Sequence, residues 1–184
     1  MKHVNHKFTF ILFSLIFSIP FCVFSQEEAP LAADSISILN AQQLQAKVWV
    51  RSITEAQRDP ENVYKLSLED QKLGRFPFEV LNYPNLQALN LSGNKLTEIP
   101  EEISSLTKLE TLILSRNKLR SLPVSMKDLP TLTYLYISKN KLTEIPAWFG
   151  GMAKVRVLDL SFNPVTHWEI QQLRQLLRRC EVMN

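Results

Sequence analysis

Three side chains of the kind used in acyl transfer fall close together near the C-terminus: Asp159, Ser161 and His167. Such chemistry needs a nucleophile, a base and an orienting acid to converge on one point. Asp159 and Ser161 alternate along one face of a predicted strand, whereas His167 lies beyond the turn that follows. No oxyanion-holding element accompanies them. His167 and Cys180 are too few to make a metal site, which takes about four ligands. Gly150-Gly151 needs nothing more than a tight turn, and there is no phosphate-cradling glycine loop. The sequence therefore reads as a non-enzyme, with no metal and no cofactor.

What carries these residues is a packed chain. Of 184 residues, 45% are hydrophobic and 21% charged, which is enough apolar material for a core and excludes wholesale disorder. With only 4 glycines, collagen-like and flexible-linker classes are excluded. The net charge of +3, from 21 Lys and Arg against 18 Asp and Glu, is weak and evenly spread, so nucleic acid is not an expected partner.

The sequence repeats itself. Val63, Leu86, Leu109, Leu132 and Val155 stand 23 residues apart without an insertion. In register with them run Leu66, Leu89, Leu112, Leu135 and Leu158, then Leu68, Leu91, Leu114, Ile137 and Leu160. Gln71, Asn94, Asn117, Asn140 and Asn163 follow, and after them Leu73, Leu96, Leu119, Leu142 and Val165. Phe76, Ile99, Leu122 and Ile145 each precede a proline, at Pro77, Pro100, Pro123 and Pro146. The two leucines at alternate positions predict a short strand with both side chains inward. The asparagines sit where the chain leaves the strand, and a buried amide there can satisfy backbone groups that the turn orphans. Stacked, they form a structural ladder of Asn94, Asn117, Asn140 and Asn163. The proline fixes φ and removes a donor, so the return segment begins as a bend, and apolar residues spaced by three then suit a helical or 3₁₀ turn. One such unit cannot cover its own apolar face, whereas a stack can.

This pattern, L-x-x-L-x-L-x-x-N-x-L-x-x-I/L-P-x-x-I-x-x-L, is seen cleanly from Leu86 to Asn94 and resembles the leucine-rich repeat family in its 23-residue form. The flanks look like the caps of small secreted bacterial members. The resemblance implies an α/β repeat: a solenoid with short parallel strands on its concave face, 3₁₀, helical or loop segments outside, and a short helix capping each end. It also implies protein or glycan binding without catalysis.

Expected boundaries follow. Residues 1–25 form a signal peptide: Lys2 and Lys7 precede an uncharged apolar run, and Val23 and Ser25 suit cleavage after Ser25. An uncleaved anchor and a lipid-modified Cys22 are the competing readings, weakened by Pro20 and by Phe21. Cleavage removes two lysines and Cys22, leaving a net charge of +1, Cys180 as a lone core thiol, and no segment for stable membrane insertion. The protein is then expected in the periplasm, at the cell surface or secreted. Residues 26–45 read as a disordered linker, with weak helix near Asn40–Lys47, and residues 46–62 as an N-terminal cap. Residues 63–165 hold about five repeats, and residues 166–184 a capping helix and tail. That helix is opened by the capping box Thr166-His-Trp-Glu169, and Cys180-Glu-Val-Met183 returns as a closing segment.

Two surfaces stand out. With leucines inward, Lys65, Ser67 and Glu69, then Ala88, Asn90 and Ser92, and their counterparts in later repeats point outward. Ile113, Tyr134, Tyr136 and Val157 thereby come together, with Asp159 at the edge. These five are the candidate partner-binding residues, tyrosine being a favoured interface anchor, although cross-strand packing explains them equally well. Lys72, Lys95, Lys118 and Lys141 form a stripe just after the strands, partly neutralised by Glu98 and Glu144. That stripe is either a solvated edge or the seat of an anionic partner such as a glycan or phospholipid headgroup. If the concave face is the site, the protein is a recognition module for a protein or glycan; in an alternative class it is a structural or adhesive envelope protein that uses the lysine edge or the stack ends.

Overall fold

The computed structural model describes residues 38–184. Residues 1–37, which include the expected signal peptide and the first part of the expected linker, lie outside the described residues. Strands β1 (Lys65–Ser67), β2 (Ala88–Asn90), β3 (Thr111–Ile113), β4 (Tyr134–Tyr136), β5 (Val157–Asp159) and β6 (Glu181–Met183) form one sheet in sequence order. Every neighbouring pair is parallel. The middle residue of each of the first five strands, Leu66, Leu89, Leu112, Leu135 and Leu158, is fully buried. The flanking residues point to the other side, which is the alternation that a strand imposes.

The prolines do what their ring dictates. Pro77, Pro100, Pro123 and Pro146 have φ between −78° and −59° and cap 3₁₀ turns at Phe78–Asn82, Glu101–Ser105, Val124–Asp128 and Ala147–Gly151. Each turn buries one apolar residue: Val80, Ile103, Met126 and Phe149. A helical turn is wider than the strand spacing of about 4.8 Å, so the stack curves with the strands inside.

The asparagine amides tie rung to rung. Asn117 Nδ2 donates to the carbonyls of Leu91 and Leu114 at 2.9 and 3.0 Å, and its Oδ1 accepts the Leu96 N–H at 3.0 Å. Asn94 bonds Leu68, Leu91 and Leu73 in the same way, and Asn140 bonds Leu114, Ile137 and Leu119. Asn163 repeats the pattern half-buried, with Ile137, Leu160 and Leu142. In the first repeat Gln71 instead reaches back to the Arg51 carbonyl at 3.0 Å, which ties it to the N-terminal cap.

Both ends are closed by residues outside the repeat. At the N-terminus, α1 (Ala41–Ala46) is set by a capping box between Asn40 and Gln43. Val50 then pairs with β1, and α2 (Ile53–Ala56) follows under a Ser52 cap. At the C-terminus, α3 (His167–Leu176) opens on Thr166 and Glu169. Glu169 also accepts the Ile145 N–H at 3.2 Å, joining the cap to the last full repeat. Ile170, Leu173 and Leu177 are buried against that repeat, and β6 adds a sixth strand.

Candidate recognition surface

The register of β3 to β6 sets a small grid on the outward face of the sheet. One row runs Thr111, Tyr134, Val157 and Glu181; the next runs Ile113, Tyr136, Asp159 and Met183. The five predicted residues are thus neighbours. Tyr134 is 40% exposed, while Ile113, Tyr136, Val157 and Asp159 are half-buried. Glu181 and Met183 join them through β6 and were not among the predicted residues. Their signal was the alternation of Glu181 and Met183 around Val182, which is buried. Burial, and after it the neighbouring Tyr134, Asp159 and Glu181, push the Tyr136 hydroxyl above the usual phenol range. The phenol therefore stays neutral and able to donate. Asp159 Oδ1 accepts the Ser161 N–H at 3.0 Å, which fixes the carboxylate at the strand end.

The other half of the face departs from expectation. Ala88 and Ser92, predicted to point outward, are buried. Ser92 folds onto Asn90, whose Oδ1 accepts both its N–H and its hydroxyl. Gln87, just ahead of β2, is fully buried: its side chain accepts the Leu39 N–H at 3.1 Å and donates to the Leu39 carbonyl at 2.9 Å. The same amide donates to Glu110 at 2.9 Å. Lys65 reaches the Gln45 carbonyl and lies over the Trp49 ring. The chain's own residues 39–49 thus rest on the β1–β2 end. Beside them lies an open hollow of about 510 Å³ lined by Trp49, Arg51, Ser67, Glu69, Asp70, Gln71 and Asn90.

Lys72, Lys95, Lys118 and Lys141 are all exposed. The backbone N–H groups of Lys95, Lys118 and Lys141 bond the previous rung, so the stripe is in register. Direct pairing of the lysines with Glu98 or Glu144 is not seen: among the described residues the ion pairs within 4.0 Å are those of Arg116 with Glu69 and Asp70. Glu98 and Glu144 lie past the turn, on the return segment. A further column was not foreseen. Asp70, Gly93, Arg116, Lys139 and Phe162, each just before the ladder position, have φ between 55° and 68°. Gly93 was the one visible sign of it.

His167 bonds Gln171 rather than Ser161, so the three groups of the acyl-transfer pattern do not converge. Cys180 is half-buried at the edge of the core rather than within it, because β6 begins at the next residue; burial, and then Glu181, push its thiol up to about 11. Among the described residues no cluster of His, Cys, Asp or Glu could hold a metal ion, and no helix is long and apolar enough to cross a membrane.

Residues 66–181 match the family model described as a leucine-rich repeat region. The chain belongs to the leucine-rich repeat family. No curated protein matches it. Among solved structures, it is similar to a leucine-rich repeat protein of Leptospira interrogans, at 37% identity and a TM-score of 0.56, over 65% of this chain and 29% of that one. It also resembles the ectodomain of the plant membrane receptor kinase GASSHO1/SCHENGEN3 from Arabidopsis thaliana, solved in complex with CASPARIAN STRIP INTEGRITY FACTOR 2. That match has 35% identity and a TM-score of 0.51, over 64% of this chain and 14% of that one. Internalin C2 of Listeria monocytogenes shares the fold at 20% identity and a TM-score of 0.60, over 72% and 55% of the two chains. This leucine-rich repeat chain therefore spans less than a third of the Leptospira protein's length.

Proposed function

We propose that this leucine-rich repeat chain is a non-catalytic, exported recognition module that seats a protein segment on the β3–β6 half of its concave face. The observation that carries this reading is the grid of Ile113, Tyr134, Tyr136 and Val157, apolar or aromatic side chains left partly open to solvent on one face of the sheet. Leucines on the opposite side hold the strands, and neither tyrosine belongs to the buried core. Aromatic anchors on a preorganised surface lose little entropy on binding and commonly supply about 2 kcal/mol each. A protein segment is favoured over a glycan because the chain's own Leu39 is already held by both of its backbone groups on Gln87, just ahead of β2. The plant ectodomain was solved in complex with a partner, CASPARIAN STRIP INTEGRITY FACTOR 2, which agrees with a recognition role.

The second reading places an anionic partner on Lys72, Lys95, Lys118 and Lys141. It is favoured by one observation, the absence of acidic partners within 4.0 Å of these lysines among the described residues. Here the protein is an envelope component held by its edge, and binding weakens steeply with salt.

Affinity capture from the producing cell's envelope separates the two. The Tyr134→Ala/Tyr136→Ala protein should lose its partner while retaining its circular dichroism. Replacing the four lysines by Ser should change capture little at physiological salt. Capture that survives the tyrosine changes and disappears with the lysine changes overturns the preferred surface.

A further inference from the structure

Two carboxylates stand within the open grid without a cation to meet them. In the paired register, Glu181 lies beyond Val157 from Tyr134, and Asp159 lies directly beside Tyr136. Glu181 is exposed and Asp159 half-buried. The ion pairs among the described residues lie at the other end of the sheet, on Glu69 and Asp70. Lys139, at the exit of β4, lies over the Phe162 ring, 5.2 Å from its centre, and makes no ion pair with Asp159. Asp159 is held in place by the Ser161 N–H on Oδ1, and its Oδ2 takes no hydrogen bond among the described residues.

We propose that the segment bound on this face carries a lysine or arginine next to an apolar side chain, and that Asp159 and Glu181 receive the cation while Tyr134, Tyr136, Val157 and Met183 receive the apolar neighbour. The proposal rests on the concave-face reading above and adds the chemistry of the partner. Charge complementarity selects the cation: an anionic group on the same grid meets two like charges, a juxtaposition that opposes binding. The aromatic rings reinforce the choice, since a cation over a tyrosine face is attracted by the ring quadrupole. The Tyr136 phenol, held above the usual phenol range, stays protonated, so it presents a ring face and a donor and adds no further negative charge. The carboxylates also sit beside apolar surface, and a seated segment shields them from water. There, charge-assisted hydrogen bonds to a guanidinium or ammonium are stronger than on an open surface. Arginine satisfies the geometry most fully, because its fork can reach one carboxylate while its plane lies on a ring.

The test is selection of a random peptide library displayed on phage against the full exported protein. The enriched peptides should carry Lys or Arg beside an aromatic or aliphatic residue. Their affinity should fall about tenfold or more in Asp159→Asn/Glu181→Gln, and it should fall with added salt. Asparagine keeps the oxygen that accepts the Ser161 N–H, so the strand end survives and the change removes charge alone. Tyrosine-dependent peptides that lack a basic residue, or that bind the Asn/Gln variant undiminished, overturn this inference and leave the concave-face reading standing. Peptides indifferent to Tyr134 and Tyr136 but lost with the four lysines overturn both.

Discussion

The Arg116 guanidinium lies 2.7 Å from the Glu69 carboxylate across two rungs of the stack, and its path crosses Gly93. A Cβ on Gly93 would collide with Asp70 Oδ1 and stand 3.3 Å from Arg116 Nη2. Glycine at this position does two things: it adopts φ 68° without strain, and it leaves room for the charges of the neighbouring rungs to meet.

Gly93→Ala should therefore destabilise the fold by about 1–2 kcal/mol, from the left-handed backbone and the displaced Asp70. The exposed ion pair itself contributes little. Chemical denaturation measures this directly. An unchanged midpoint would mean that the turn relaxes without loss.

The middle of the ladder offers a sharper change. Asn117→Leu leaves the carbonyls of Leu91 and Leu114 and the N–H of Leu96 without their side-chain partner, at a cost of about 1–3 kcal/mol. A melting temperature equal to that of the parent protein would refute the assigned role.

Tyr83 tests the opposite sign. Its ring is buried and its hydroxyl finds no hydrogen-bond partner among the described residues, at a repeat position filled by Leu106 and Leu129 in the next two units. Tyr83→Phe removes an unpaired polar group and should leave stability equal or raise it by about 1 kcal/mol. A clear loss of stability would show that the hydroxyl is satisfied.

Cys180 predicts a pH dependence. Thiolate is the reactive form, and burial holds this thiol at about 11. Alkylation by iodoacetamide should be slow at neutral pH and should rise about tenfold per pH unit up to the neighbourhood of 11. Because the folded value lies above that of an unburied thiol, about 9, the associated stability is full below pH 9 and is lost as pH rises through about 11. A plateau in the alkylation rate near pH 8 would contradict the burial of this residue.

The repeat made most of the fold legible. Period-two leucines, a buried amide and a proline specify strand, turn and return in each unit, and these are local rules that tertiary context reinforces. What escaped notice depended on relations between units. The left-handed column was hidden because Arg116, Lys139 and Phe162 carry no turn signature, and the stack imposes the conformation on them. Gln87 looked like any polar residue, yet its partner Leu39 lies 48 positions away, in a stretch read as linker. Glu181 and Met183 reach the candidate surface because the cap returns as a parallel strand, and a strand of three residues has too short a pattern to show its register. The five predicted surface residues were legible because a constant repeat length carries the register of one rung to the next.

The central claim is that Tyr134 and Tyr136 are covered by the partner. It is tested most directly by covalent footprinting of the saturated complex, with nitration for tyrosines and acetylation for lysines, read by mass spectrometry. The account predicts that Tyr134 and Tyr136 lose labelling on binding while Lys72, Lys95, Lys118 and Lys141 keep theirs. Protection of the four lysines, with both tyrosines labelled as in the free protein, would contradict it.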